Sequence, residues 1–343
     1  MKRSATTFIC LFSMGILILD TKTALLGAVE GIELCLKTVI PSLFPFIVLS
    51  MLLTSALLGS SIPLLKPIGK ILRIPDGSES LWLTGCLGGY PVGAQCIGQA
   101  VKSGILHPKD GKRMLCFCNN AGPSFIFGIG MGILGDLRLC FFIWLIHILS
   151  SIIVGMLTPG KAESCVKLQI SSPITLPQAL AKATATMGMI CGWVVLFKIL
   201  LRILQKWILA FVPTTAQVLL SGILELSNGC TALWAVENRA HRFILFSAFL
   251  AFGGVCVAMQ TASVAPDTRW YLPSKIAQAA VSGSLSILAA GLLFPGEMNI
   301  HPMSLIFCGT LLFLYPVSLR KFRKKALAFS PKLRYNRANI HTR

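Results

Sequence analysis

Gly85-Cys86-Leu87-Gly88-Gly89-Tyr90-Pro91-Val92-Gly93-Ala94-Gln95 stands in the middle of an apolar stretch, 78–101. Its glycines let backbone approach backbone, and Pro91 blocks a continuous helix. A helix broken at membrane depth frees polar backbone groups that lipid cannot satisfy. Such a break is tolerated only inside protein or beside a water-filled cavity. The stretch reads as a re-entrant hairpin that dips into a membrane and returns. A second apolar stretch broken by polar residues and glycine, 212–235, reads the same way.

The rest of the chain supplies the membrane. Of 343 residues, 55% are hydrophobic and only 13% charged, about half the charge of an ordinary soluble domain. The mean hydropathy is +0.76. These values exclude a disordered chain, a collagen-like repeat and a disulfide-rich secreted module. Apolar runs that could span recur at 5–19, 38–58, 113–135, 138–158, 183–204, 242–265, 273–294 and 302–319. The fold class expected is an all-α polytopic membrane protein with about eight transmembrane helices and two re-entrant helical hairpins.

Thirty-one Lys plus Arg against 12 Asp plus Glu leave a net charge of +19. In a soluble protein that balance would point to nucleic acid. Here it reads as topology. With both termini cytoplasmic, 14 cations from Lys2 to Lys275 and nine in the tail fall inside, against eight outside. That is the bias the positive-inside rule requires. The start also fits a signal peptide, with a charged opening and an apolar core over 8–19. No small-x-small site follows, since the chain continues Asp20-Thr21-Lys22-Thr23, and the first span is read as retained. The 12 cysteines show no metal or disulfide spacing and read as small buried hydrophobes.

The layout divides as follows: 1–37, a first span and outside loop; 38–158, a first repeat with its hairpin at 78–101; 159–182, a cytoplasmic linker; 183–294, a second repeat with its hairpin at 212–235; 295–319, a last span; 320–343, a basic cytoplasmic tail. Each repeat runs span, broken hairpin, span, span. Three crossings are odd, so the second repeat is expected inverted relative to the first, the architecture of secondary transporters.

Four segments carry the polar residues. Around Gly89, Tyr90, Pro91 and Gln95, the half-helix after the break would aim free N–H groups inward and attract an anion. The same small residues also suit plain helix packing. In Cys118-Asn119-Asn120-Ala121-Gly122-Pro123-Ser124-Phe125, two adjacent Asn are costly inside a span unless paired. Asn119 and Asn120 could meet a polar ligand or cap the helix that Pro123 begins, and Ser124 belongs with them. Glu225, in Glu225-Leu226-Ser227-Asn228-Gly229, is the acidic residue placed well inside the membrane. It is a candidate for binding a cation, a proton or substrate, or for locking its hairpin, with Asn228 beside it. Gln260 closes Gly253-Gly254-Val255-Cys256-Val257-Ala258-Met259-Gln260. His147 reads as hydrogen-bonded packing, and the tail as an anchor on anionic lipid rather than a nucleic-acid arm. No catalytic constellation is evident, and no enzyme is expected.

Gly-Gly-Tyr-Pro-Val-Gly-Ala (88–94), Cys-Asn-Asn-Ala-Gly-Pro-Ser-Phe-Ile (118–126), Glu-Leu-Ser-Asn-Gly (225–229) and Gly-Gly-Val-Cys-Val-Ala-Met-Gln (253–260) together resemble the YlbJ-type sporulation integral membrane proteins. These belong to the nucleoside-recognition, or Gate, domain group, distantly similar to concentrative nucleoside transporters. The resemblance covers about 38–320. It implies an endospore-forming bacterium, a place in the cell membrane or outer forespore membrane, and movement of dipicolinate from mother cell to forespore. The expected partners are a small anion or aromatic acid, the bilayer, and a second copy of the chain through 302–319. No cofactor is expected beyond Na+ or H+ as coupling ion. A nucleoside carrier of the same fold and a non-transporting sporulation scaffold are the alternatives.

Overall fold

The computed structural model describes residues 2–57, 62–160, 162 and 173–297. The expected span 302–319, the tail 320–343 and much of the linker 159–182 lie outside the described residues. Every described element is helical: α1 (Lys2–Leu19), α2 (Thr21–Leu34), α3 (Ile40–Leu57), α4 (Lys66–Leu72), α5 (Glu79–Leu87), α6 (Val92–Lys102), α7 (Pro108–Met114), α8 (Pro123–Leu134), α9 (Leu137–Leu157), α10 (Leu176–Trp207), α11 (Thr214–Leu224), α12 (Leu226–Ala232), α13 (Arg239–Phe252), α14 (Gly254–Val264) and α15 (Tyr271–Leu293), with short 3-10 turns between some of them.

Five helices among the described residues are long and apolar enough to cross a membrane: Thr21–Leu57, Leu137–Leu157, Leu176–Trp207, Arg239–Val264 and Tyr271–Leu293. They contain the expected spans 38–58, 138–158, 183–204, 242–265 and 273–294 to within a residue or two at the ends. The expected span 5–19 falls on α1, a shorter apolar helix. The expected span 113–135 is not a continuous helix. Helix α7 stops at Met114, residues 119–122 run non-helically, and only the 12 residues of α8 follow. Pro123 explains the restart, since its fixed φ and missing N–H suit the first helical position.

Residues 21–37, expected in an outside loop, are helical. Helix α2 continues through a π turn at Cys35–Val39 into α3. A helix of 37 residues is about 55 Å long, well over the ~30 Å of a bilayer core. Its acidic half instead lies antiparallel along α10. Added Cβ atoms on Gly27 and Gly31 would come within 2.9 Å of the Ile199 and Val195 Cα atoms, a small-xxx-small contact that seats backbone on backbone. Asp20 accepts from Lys206 at 2.8 Å, and Glu30 pairs with Arg202 and, at 3.5 Å, with Lys198.

Within 62–157 and again within 176–293, short or broken helices lie between long ones. The pair α5 and α6 packs as a hairpin, as does α11 with α12. In the second hairpin a Cβ on Gly229 would press onto Gly222, so the two arms meet through bare backbone. Helices α9, α13 and α15 form a tight layer behind the hairpins. Its core includes the fully buried Ile143, Phe243 and Phe246, and a Ser247–Ser282 hydroxyl bond of 2.9 Å joins α13 to α15.

Candidate functional site

Four interruptions of the helices converge: Gly88–Pro91 between α5 and α6, 119–122 before α8, Glu225 between α11 and α12, and Gly253–Gly254 between α13 and α14. Side chains at Gly85 and Gly93 would strike the Cys118 carbonyl, so hairpin α5–α6 clasps the chain at 118–122 through its glycines. At the tip, Gly89 has φ +77 and lies against the Gly122 backbone. The Tyr90 ring packs on Gly253, and Gly254 packs on the backbone of Glu225. Each break touches the next.

Breaks on this scale free buried N–H and C=O groups, and each must find a partner. Here the partners are side chains. The Tyr90 hydroxyl donates to the Leu250 carbonyl at 3.2 Å, at the end of α13. His147 Nε2 accepts from the Ala121 N–H at 3.0 Å. Asn120 Nδ2 donates to the Phe117 carbonyl at 2.8 Å. Asn119 Oδ1 accepts from the Ala94 N–H at 3.2 Å, in the first turn of α6. Its Nδ2 donates to Thr261 Oγ1 at 3.0 Å and Tyr271 Oη at 2.9 Å. The expectation that the two Asn cap α8 does not hold, because Gly122 occupies that cap position. They stitch α6, α14 and α15 to the 119–122 chain instead.

Sequence reasoning missed the centre of this network. Lys275, counted there among the cytoplasmic cations, is fully buried. Its Nζ donates to the Asn119 carbonyl at 2.5 Å and Gln278 Oε1 at 2.7 Å, with Asn120 Oδ1 at 3.4 Å. The rings of Tyr90 and Tyr271 face it at 5.3 and 5.5 Å, within cation–π range. All three acceptors are neutral, so the ammonium is solvated but its charge is not balanced by them. Burying such a charge costs several kcal/mol before these contacts offset it. Gln278 also donates to Asn120 Oδ1 at 3.0 Å. The available signal was spacing: Tyr271, Lys275 and Gln278 recur at i, i+4 and i+7, one stripe of a helix.

Glu225 is 2% exposed and has extended backbone, φ −146 and ψ 129. Its carboxylate accepts from Ser227 N at 3.0 Å, Asn228 N at 2.7 Å and Asn228 Nδ2 at 2.7 Å. It caps α12 through these bonds. The acid is not alone in being buried, since Glu79 is 3% and Asp110 1% exposed. A cavity of about 30 Å³ lies between Tyr90, Gly122, Glu225, Ser227 and Gln260, walled by apolar side chains of α3, α8, α10 and α14. It has room for one water-sized occupant.

The ten sequence-named residues thus divide. Gly89, Tyr90, Pro91, Asn119 and Asn120 build the junction of the first hairpin with 119–122. Tyr90, Glu225 and Gln260 line the small cavity. Asn228 supports Glu225 and keeps Oδ1 without a partner among the described residues, as does Ser124 with its Oγ. Gln95 lies apart, bonded to Thr186 of α10 at 3.0 Å. Gln260 does not meet Asn119, whose partner on α14 is the neighbouring Thr261.

The chain is similar to the sporulation integral membrane protein YlbJ of Bacillus subtilis (strain 168), at 24% identity over 69% of this chain and 69% of that protein. No family model matches the chain, and no solved structure matches it.

Proposed function

We propose that this protein is a secondary transporter of a small anionic or aromatic solute in sporulation, with dipicolinate the favoured solute. The observation that carries this reading is the meeting of four backbone breaks, two of which, at Tyr90 and at 119–122, face Lys275, a buried amine whose acceptors are all neutral. A fold that only had to persist in lipid would have no use for such breaks. A buried amine with no opposite charge among its acceptors suits an anionic solute. The printed name of the similar protein supports the sporulation setting, and the motif resemblance supports dipicolinate. In this reading α5–α6 and α11–α12 are re-entrant hairpins of two inverted repeats. Both termini are cytoplasmic, and the protein sits in the cell membrane or outer forespore membrane.

Glu225 would repel a dianion if its charge were bare. Three N–H donors already hold that carboxylate. The cavity beside it admits no aromatic acid as it stands, so passage requires Tyr90 and Gly122 to part from Glu225. Na+ or H+ is the coupling ion, with the Glu225 cavity as its place. One observation favours a second reading, a non-transporting scaffold: most of the sequence-named polar groups are spent on internal hydrogen bonds.

The test is dipicolinate uptake into proteoliposomes under Na+ or H+ gradients, for wild type, Glu225→Gln and Lys275→Gln. The transporter reading expects gradient-driven uptake by wild type and its loss in both variants at equal insertion. No uptake by folded wild type under either gradient refutes it and favours the scaffold.

A further inference from the structure

Helix α4 lies at the level where two spanning helices end. Helix α3 stops at Leu57, shortly before the 3-10 turn Pro63–Leu65 that leads into α4. Arg73, the residue after α4, donates from Nη2 to the Met156 and Thr158 carbonyls at 2.5 and 3.0 Å, at the end of α9. The end of an apolar span is the surface of the bilayer core. Toward the protein, α4 is well held. Leu72 is fully buried, and a Cβ on Gly69 would meet the Glu79 side chain of α5 at 3.2 Å. Arg113 of α7 donates to the Leu72 carbonyl at 2.8 Å and to that of Arg73. Arg73 has a left-handed φ of 54, and the Ile74 N–H returns to the Gly69 carbonyl at 3.1 Å, which closes the helix.

The outward side of the same segment is divided in two. Leu64 is 85% and Ile71 49% exposed, and exposed Pro67 stands between them. Beside this apolar strip, exposed Lys66 and Lys70 stand one turn apart. Neither lysine has a partner among the described residues, and the sequence holds no acid from 34 to 75. Two like charges at i and i+4 destabilise a helix; an anion between them reverses the sign. We propose that this face binds anionic phospholipid, with Leu64 and Ile71 in the acyl layer and Lys66 and Lys70 on headgroup phosphates. Aliphatic side chains beside unpaired lysines at bilayer-surface depth are what an interfacial helix presents, and anionic headgroups complement the charge. The consequence is positional. Lipid that holds α4 also holds the Arg73 and Arg113 bonds to α9 and α7, and with them the entry to the α5–α6 hairpin. The proposal needs the chain to lie in a membrane and is independent of transport.

The experiment is hydrogen exchange of the full chain in nanodiscs of phosphatidylcholine, with and without phosphatidylglycerol. Phosphatidylglycerol should slow exchange at 66–74, each lysine contributing about fivefold, the weight of one cation at an anionic surface. Added salt should weaken the effect. Lys66→Gln and Lys70→Gln should each lose their share, whereas the double variant Lys66→Arg with Lys70→Arg should keep the slowing, which separates charge from folding. Four results overturn the proposal: no difference between the two lipids in wild type, slowing that persists in the double variant Lys66→Gln with Lys70→Gln, slowing of equal size in the α13 amides, or equal slowing by inorganic phosphate added to phosphatidylcholine nanodiscs, which would make the site one for free phosphate.

Discussion

Removing the Asn119 side chain tests whether the central network holds the broken elements together. Asn119→Ala deletes three bonds from a residue with no exposed surface: from the Ala94 N–H at 3.2 Å, and to Thr261 Oγ1 at 3.0 Å and Tyr271 Oη at 2.9 Å. The two hydroxyl partners can turn elsewhere, so each loss is worth the ~0.6 kcal/mol average of side-chain bonds inside membrane proteins. The Ala94 N–H cannot turn. It sits in the first turn of α6, where no helical partner exists, and orphaning it costs about 1–3 kcal/mol. The sum is about 2–4 kcal/mol. Reversible unfolding by SDS in mixed micelles, followed by circular dichroism, measures it. Tyr271→Phe alone removes one hydroxyl bond and costs about 0.6 kcal/mol. In the double variant the two costs overlap by about that amount, because the same bond is deleted twice. An Asn119→Ala cost below about 1 kcal/mol, or costs that simply add, would refute the network as the clasp of the four breaks.

Three further outcomes follow from the geometry. Glu225→Gln puts an NH2 group where one acceptor oxygen stood at the head of α12 and leaves a buried N–H unpaired at a cost of about 1–3 kcal/mol, so the same unfolding assay should read a loss of that size; an unchanged transition would mean the Glu225 side chain does not lock the hairpin. Gly85→Ala places a methyl group on the Cys118 carbonyl and should lower the yield of folded protein, while Gly192→Ala on α10, with nothing near its Cβ, should be neutral or slightly stabilising; equal yields would contradict the clasp at 118–122. Because the folded state depresses the Asp267 carboxyl, its ion pairs stabilise above the ordinary carboxylate range and lose that contribution as pH falls through the lowered folded value. The side chain is 30% exposed, so the effect is under about 1 kcal/mol. The melting temperatures of wild type and Asp267→Asn should therefore differ slightly at neutral pH and converge in acid.

The sequence was informative wherever local chemistry sufficed. Apolar runs of spanning length marked five long helices, because burying backbone in lipid demands that length whatever the packing. Pro91 and the polar stretch with Glu225 in 212–235 marked two of the breaks, because a missing N–H or a capping side chain ends a helix by itself. Local chemistry failed for 21–37, where charge suggested a loop. Ion pairs from Asp20 to Lys206 and from Glu30 to Arg202 satisfy those acids along α10, and they join residues more than 170 positions apart. It failed again at 113–135, where an apolar run proved to be a short helix after an irregular chain.

What the sequence determined alone is the class of molecule, a helical membrane protein with polar interruptions, since hydropathy and helix-breaking are properties of neighbouring residues. Only the tertiary structure decided what the interruptions do. It brought Tyr90, Asn119, Gly253 and Glu225 from four separate segments into one junction. It also moved Lys275 from the surface, where its charge would cost nothing, to the centre, where Asn119, Asn120 and Gln278 solvate it. A cation is affordable in a core only if acceptors from other parts of the chain arrive together, and their arrival is a property of the fold.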